Sequence, residues 1–319
     1  MYSLIIPVYR SEASLHELLE AVQALDHRLD HRLQAVFVID DSPDRCYEML
    51  VQRLPECPFR SRLLLLSRNF GSFAAIRAGL ANADGPYFAV MAADLQEPAD
   101  LMLSFFRTLA ADAADVVVGV REDRADPLLT RLTSGAFWYL YRKLVQRELP
   151  PGGIDVFGCS VGFRDHLLQL MESRTSLMGL VLWLGFRRQA ISYRRLPRRH
   201  GRSAWGLALK VRYMLDSLFA FTDLPLQLMM LFGGLGLVVT AVLTVVILIA
   251  RWSGLIPVPG YTATLVVILF FAALNLLGLS IVGSYAWRAY ENTKGRPPYL
   301  VAAKLDFHAS PSRCRGSAS

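Results

Sequence analysis

Residues 1–195 alternate between short apolar runs and stretches with helical periodicity. The apolar runs are rich in Val, Ile and Leu without alternating polar residues, which is typical of strands buried on both faces of a parallel sheet. After the first run, Leu15, Leu18, Val22 and Leu25 recur at helical spacing. Strands alternating with helices predict a doubly wound, Rossmann-like α/β domain with its ligand at the carboxyl ends of the strands. The predicted strands are Ser3–Val8, Gln34–Ile39, Leu63–Ser67, Tyr87–Ala92, Asp115–Val120 and Ala190–Tyr193.

The pattern changes after the α/β domain, which we place at residues 1–204. In residues 205–224, Leu207, Val211 and Leu218 share one helical face, and Trp205 stands at the start of the segment. This pattern predicts an amphipathic helix in the membrane interface. The alternative is a helix packed against the core of the α/β domain.

Two long stretches without charge follow, Leu224–Ala250 and Trp252–Trp287. Each exceeds the roughly 20 helical residues that span a hydrocarbon core of about 30 Å. We therefore predict a transmembrane hairpin of two helices over residues 225–288. Polar Asn275 and several glycines inside it are typical of helix contacts, and they suggest a homo-oligomer formed through the hairpin. Residues 289–319 are expected to form a cytoplasmic tail with a disordered end.

Charge and composition narrow the functional classes. Hydrophobic residues make up 53% of the chain, and 34 Lys and Arg against 27 Asp and Glu give a net charge of +7. The apolar stretches exclude a water-soluble enzyme, and the ordinary mixture before them excludes a mostly buried membrane bundle. Basic residues flank the hairpin, so the positive-inside rule places both termini in the cytoplasm at the inner membrane. No aromatic-rich basic groove is evident, so no nucleic-acid partner is expected. The four cysteines have no metal-binding spacing and are expected to be reduced.

Polar clusters follow four successive predicted strands. They contain Tyr9 after the first strand, Asp40 and Asp41 after the second, the segment 67–71 after the third and Asp94 after the fourth. Carboxylates at such positions can bind ribose hydroxyls or a base, and a carboxylate with an amide oxygen can hold a divalent cation on a diphosphate. Taken singly, each cluster is more typical of a turn or a helix cap. Together, they predict one nucleotide-binding crevice.

Four of these segments also resemble a known family. IIPVYRSEASL, IDDSPDR, SRNFGSFAAIRAGL and AADLQEPADL are similar to inverting family 2 glycosyltransferases of the GT-A fold. More narrowly, they resemble polyprenyl-phosphate sugar transferases, which include dolichol-phosphate mannose synthases and undecaprenyl-phosphate glycosyltransferases. The resemblance covers nearly the whole chain, including Gly201, Ser203 and Trp205 and the segment 296–299 after the hairpin.

The resemblance implies a role for particular residues. Asp94 and Gln96 match positions that bind Mg²⁺ or Mn²⁺ and the sugar diphosphate, and Asp155 matches an acidic residue near the reacting centre. Asp155 could be a general base or an orienting carboxylate, and the alternative is a helix-capping or ion-paired aspartate. The nucleotide-sugar positions are Pro7, Tyr9, one of Asp40 and Asp41, and Arg198. The positions that face the acceptor phosphate are Arg121, Arg131 and Ser134.

Two residues depart from the family pattern. Ala92 stands where the family usually has the first carboxylate of Asp-Ala-Asp, so a metal should bind more weakly and depend more on the donor diphosphate. Ala204 stands where the family often has Lys. Arg202 or Lys210 could replace that lysine.

These features predict a membrane-bound enzyme that moves one sugar from a nucleotide sugar to a polyprenyl phosphate. Glucose from UDP-glucose is the first choice, with aminoarabinose or an N-acetylhexosamine as alternatives. A processive polysaccharide synthase is a second hypothesis, although the chain has no Gln-x-x-Arg-Trp element and too few predicted spans. A catalytically silent membrane scaffold is a third hypothesis, which Ala92 alone supports.

Overall fold

The computed structural model describes residues 1–121, 154–172, 176–197, 224–253 and 260–309, together with Asp216, Phe219 and Thr222. Contacts divide the chain into two compact units. The first unit comprises Met1–Lys210 and Arg296–Ser319, and the second comprises Val211–Gly295.

The first unit is built on a sheet of eight strands in the order β7-β5-β6-β4-β1-β2-β3-β8. All six predicted strands are present, with ends shifted by a few residues. The strands are β1 Tyr2–Val8, β2 Leu33–Ile39, β3 Arg60–Leu66, β4 Tyr87–Val90, β5 Val116–Arg121, β6 Ile154–Ser160, β7 Arg188–Tyr193 and β8 Val301–Phe307.

The sheet is mixed, so the expectation of a parallel sheet is correct only in part. Strands β3, β2, β1 and β4 are parallel neighbours, and β5 is parallel to β7. Two strands that the pattern did not predict run the other way. β6 lies antiparallel between β4 and β5, and β8 lies antiparallel to β3 at the edge of the sheet. The second of these falls within residues 289–319, where we expected only a tail.

Helices cover the sheet and bury its apolar side chains. Phe37, Phe88, Phe105 and Phe157 are fully buried in this core. One glycine permits close packing, because a Cβ at Gly79 would clash with a methyl carbon of Ile5. The described helices of this unit that are longer than one turn of 3₁₀ are α1 Leu15–Arg28, α2 Cys46–Arg53, α3 Ser72–Ala81, α4 Ala99–Ala110, α5 Val161–Gln169 and α6 Leu177–Trp183.

The second unit contains two long helices where the hairpin was predicted, α7 Leu224–Trp252 and α8 Tyr261–Thr293. They pack on each other at small residues, since a Cβ at Gly236 would lie 3.5 Å from the ring of Phe271. Among the described residues, one helical stretch, 270–293, is long and apolar enough to cross a membrane. The prediction of two transmembrane helices is therefore not confirmed.

Candidate active site

The strand directions bring the described site residues to one end of the sheet, at the carboxyl ends of its parallel strands. β1, β2, β3 and β4 end there, and so do β5 and β7, whose last residues Arg121 and Tyr193 pair in register. Because β6 is antiparallel to β4 and β5, it begins at this end, and Ile154 pairs with Val120. Asp155 therefore enters the same crevice as the loops that follow the parallel strands.

The adjacent carboxylates Asp40 and Asp41 have different surroundings. Asp40 is 3% exposed, and its two oxygens accept hydrogen bonds from the backbone N–H groups of Phe70 (2.7 Å) and Gly71 (2.8 Å). Burial raises the pKa of Asp40 even though both bonds favour its charged form. Gly71 has a φ of +94°, which glycine adopts without strain. Asp40 thus fixes the loop after β3, whereas Asp41 is exposed at the crevice.

Side-chain hydrogen bonds join the loop after β1 to the loop after β2. The Arg10 N–H donates to Ser42 Oγ (2.7 Å), and the Glu12 N–H donates to Asp44 Oδ2 (3.1 Å). Tyr9 is 39% exposed beside them, with the Arg10 guanidinium 5.4 Å from its ring centre. A fixed wall with an accessible aromatic ring suits a flat nucleoside base.

Pro7 lies within β1, paired with Val38 of β2, and is half-buried. The site therefore combines Pro7, within β1, with the exposed Tyr9, just after it. Both residues were predicted for nucleotide binding; Pro7 lies in the carboxyl half of β1, and Tyr9 directly follows the strand.

The turn after β4 presents Asp94 and buries Gln96. The Gln96 N–H donates to Asp94 Oδ1 (3.4 Å), which closes the turn around Leu95. The amide of Gln96 bonds the segment after β7, because its oxygen accepts from Arg195 and its nitrogen donates to the Leu196 carbonyl (3.3 Å). Gln96 was predicted to bind metal, and in this arrangement its amide also fixes the exit of β7.

The donor set at this turn fits a cation held jointly with a diphosphate. Asp94 is a half-buried carboxylate at the crevice, and oxygen ligands of this kind suit Mg²⁺ and Mn²⁺. Among the described residues, no group of three or more His, Cys, Asp or Glu side chains is arranged to hold a metal. A ligand set that small leaves most of the coordination to the donor diphosphate, as the loss of the first carboxylate at Ala92 also implies.

Glu97 is a buried carboxyl group within the segment AADLQEPADL, and no role was predicted for it. It is 4% exposed, and its Oε2 accepts from the Ala92 N–H (3.2 Å). Burial raises its pKa to about 7, and the negative charge of Asp94 adds to the effect. Glu97 therefore holds the backbone at the position where the family usually has another carboxylate.

Asp155 and Arg121, which were predicted to act separately, form an ion pair through Asp155 Oδ2. The hydroxyl of Tyr193 donates to the same oxygen (3.0 Å). Burial, together with the negative charges of Asp155 and Glu97, raises the pKa of Tyr193, so its hydroxyl keeps its proton near neutral pH. Asp155 is thus ion-paired, as the alternative interpretation held, and it lies in the crevice. Sequence reasoning missed Tyr193 and Arg195.

Three predicted site residues, Arg131, Ser134 and Arg198, lie outside the described residues. The same is true of Gly201, Ser203 and Ala204 and of most of the predicted interfacial helix. Their assigned roles stay predictions.

Comparison of the sequence with models of protein families agrees with this geometry. The model of the family described as "Glycosyl transferase family 2" matches residues 3–170, which include every described site residue up to Asp155. The chain belongs to glycosyltransferase family 2. It is a glycosyltransferase, and its mixed α/β sheet is GT-A-like.

Relatives of this glycosyltransferase match over nearly its whole length. The undecaprenyl-phosphate 4-deoxy-4-formamido-L-arabinose transferase of Pseudomonas paraeruginosa is 30% identical over 314 residues, 94% of this chain and 89% of the relative. The uncharacterized glycosyltransferase YkcC of Bacillus subtilis is 29% identical over 305 residues, 94% of this chain and 93% of the relative. Among solved structures, S. aureus TarS 1-349 in complex with UDP-GlcNAc has 16% sequence identity and a TM-score of 0.45, covering 67% of this chain and 65% of that one.

Proposed function

We propose that this glycosyltransferase moves a single sugar from a nucleoside-diphosphate sugar to a polyprenyl phosphate at the cytoplasmic face of the membrane. The observation that carries the proposal is the meeting of Asp41, Asp94, Asp155 and Arg121 at one end of the sheet. The name of the P. paraeruginosa relative supports an undecaprenyl-phosphate acceptor. The long uncharged stretches Leu224–Ala250 and Trp252–Trp287 support a site of action at a lipid surface.

The loops after β1, β2 and β4 bind the donor in this proposal. Pro7 and Tyr9 contact the nucleoside, and Asp41 accepts hydrogen bonds from its hydroxyls or base. Asp94 would hold Mg²⁺ or Mn²⁺ together with the donor diphosphate, and such a cation would neutralise charge on the departing nucleoside diphosphate. Arg198 supplies further positive charge to that leaving group.

Arg121 and Asp155 face the acceptor in this proposal, with Arg131 and Ser134 completing the phosphate site. A phosphate oxygen forms a bond to the anomeric carbon while the bond from that carbon to the diphosphate oxygen breaks, and its electron pair leaves with the nucleoside diphosphate. In-line attack inverts the anomeric centre. A lipid phosphate dianion needs no deprotonation, since second phosphate pKa values are near 6. A monoanion would pass its proton to Asp155.

The sugar itself is the finer part of the proposal. Glucose was the first choice from the sequence, but no described contact selects it. The name of the P. paraeruginosa relative adds 4-deoxy-4-formamido-L-arabinose, which belongs with the amino-sugar alternatives. The donor panel should therefore contain UDP-glucose, UDP-N-acetylglucosamine and the UDP-formamido-arabinose.

The test is transfer by the full-length protein in detergent, with each labelled donor, undecaprenyl phosphate and Mg²⁺ or Mn²⁺. We expect one donor to give a labelled lipid of one sugar on one phosphate. The change Asp94→Asn should lower the rate at least 100-fold. The matched control, Asp100→Asn, alters an exposed carboxylate on α4 that pairs with Arg28 and should keep the parent rate.

Two results would contradict the proposal. A long labelled polymer would indicate a processive synthase. Absence of product with every donor, from protein that retains its folded signature by circular dichroism, would favour a silent scaffold.

A further inference from the structure

Tyr193 is a buried tyrosine at the last position of an edge strand. It is 5% exposed, whereas most other residues of β7 are exposed or half-buried. Its register partner across the sheet is Arg121, the last residue of β5. The strand pairing therefore places a phenol and a guanidinium side by side at the crevice.

Both side chains donate to one oxygen of Asp155. Arg121 Nε and the Tyr193 hydroxyl each bond Oδ2, the latter at 3.0 Å. Neither bond uses Oδ1. The side chain of Asp155 is 26% exposed, so a substrate can reach it. Two donors on one oxygen fix the carboxylate plane and leave the second oxygen for a ligand.

The two donors differ in how an incoming anion affects them. Arg121 is a cation, and a phosphate dianion competes with Asp155 for its bidentate fork. Tyr193 is neutral and buried, so an anion attracts it far less. Glu97, from the turn before α4, is a further charged group that acts electrostatically on this carboxylate, and it carries no donor when ionised. Once Arg121 turns to the acceptor, Tyr193 is the described side chain left to hold Asp155.

We propose that Tyr193 is the positioning residue for Asp155, whose hydroxyl holds Oδ2 in place while Arg121 binds the acceptor phosphate. The proposal rests on the function proposed above. It assigns a role to a residue that touches neither donor nor acceptor and acts only through Asp155.

The test is the change Tyr193→Phe, which removes one oxygen and keeps the buried ring. We expect kcat to fall about tenfold, the effect of losing one hydrogen bond to a charged group, while KM for donor and acceptor stays within twofold. The thermal unfolding midpoint should stay close to that of the parent. The matched control is Tyr87→Phe, a half-buried tyrosine at the opposite end of the parallel strands.

A structure of the Tyr193→Phe variant tests the positioning directly, whatever acceptor the enzyme uses. We expect the Asp155 carboxylate to rotate toward Arg121 when the hydroxyl is lost. An unmoved carboxylate, an unchanged kcat, or a joint loss of kcat, KM and unfolding midpoint would overturn the proposal. A parent enzyme that transfers no sugar from any donor would instead refute the proposed function, and the carboxylate position would still decide the role of Tyr193.

Discussion

Asp40 and Asp41 show how one dipeptide can supply both structure and chemistry. The sequence left open which carboxylate meets the nucleotide. The structure gives both oxygens of Asp40 to backbone N–H groups and leaves Asp41 exposed with a φ of 48°. Aspartate and asparagine tolerate that left-handed conformation better than most residues. The distinction was invisible in sequence because it depends on the loop after β3.

Exchanging each carboxylate for an amide separates the two roles. Asp40→Asn replaces one acceptor oxygen with an NH₂ group that faces a backbone N–H, so we expect a loss of about 2 kcal/mol in stability. Asp41→Asn keeps the left-handed turn, so we expect an unchanged unfolding midpoint and a KM for the donor raised about tenfold. Thermal unfolding in detergent and donor titrations measure both effects. The assignment is wrong if the Asp41 variant is the less stable of the two.

Sequence pattern predicted the strands that local hydrophobicity defines and missed those that distant pairing defines. β1 and β2 are mostly apolar, and most of their residues are buried. β8 reads Val-Ala-Ala-Lys-Leu-Asp-Phe and is mostly exposed or half-buried, so its own composition gives only a weak signal. It becomes a strand because it pairs with the free edge of β3, whose paired residues lie 235 or more positions earlier in the chain. The Arg121–Asp155–Tyr193 contact was missed for the same reason, since it needs the unpredicted strand β6.

β8 is anchored to the sheet by a cross-strand ion pair. Arg62 of β3 is 9% exposed and donates to Asp306 of β8, and it also meets Asp84. Removing Asp306 leaves a nearly buried guanidinium with one carboxylate fewer. This pair therefore contributes to the attachment of β8 to β3.

We expect Asp306→Ala to lower the stability of the first unit by about 1–2 kcal/mol, which is less than for a fully buried pair because Asp306 is itself 42% exposed. The matched control is Lys304→Ala on the same strand, whose exposed ammonium contacts Asn82 Oδ1 at 3.3 Å. That change should cost less than about 0.5 kcal/mol. Unfolding midpoints of both variants provide the comparison, and equal midpoints would show that the ion pair does not anchor β8.

At the scale of the whole molecule, the chain leaves the sheet for a helical unit and returns to complete the same sheet with β8. Both the residues before Val211 and those after Gly295 belong to the first unit. Two crossings of the bilayer would satisfy this path, since a single crossing would put the two parts of one sheet on opposite sides of the membrane. The fold of the first unit therefore argues against a single crossing, so that α7 and α8 cross the bilayer as a pair or not at all.

Cysteine labelling in intact spheroplasts tests this topology. Cys57 and Cys314 are first replaced by serine, while Cys46 and Cys159 stay, because burial raises the pKa of both thiols (to about 12 for Cys46) and leaves little reactive thiolate. A membrane-impermeant maleimide should then label Ser253→Cys, after α7, without lysis. It should label Glu48→Cys, exposed on α2, only after lysis. Protection of Ser253→Cys until lysis would mean that α7 and α8 do not cross the bilayer as a pair, and the path of the chain would have to lie on one side of the membrane.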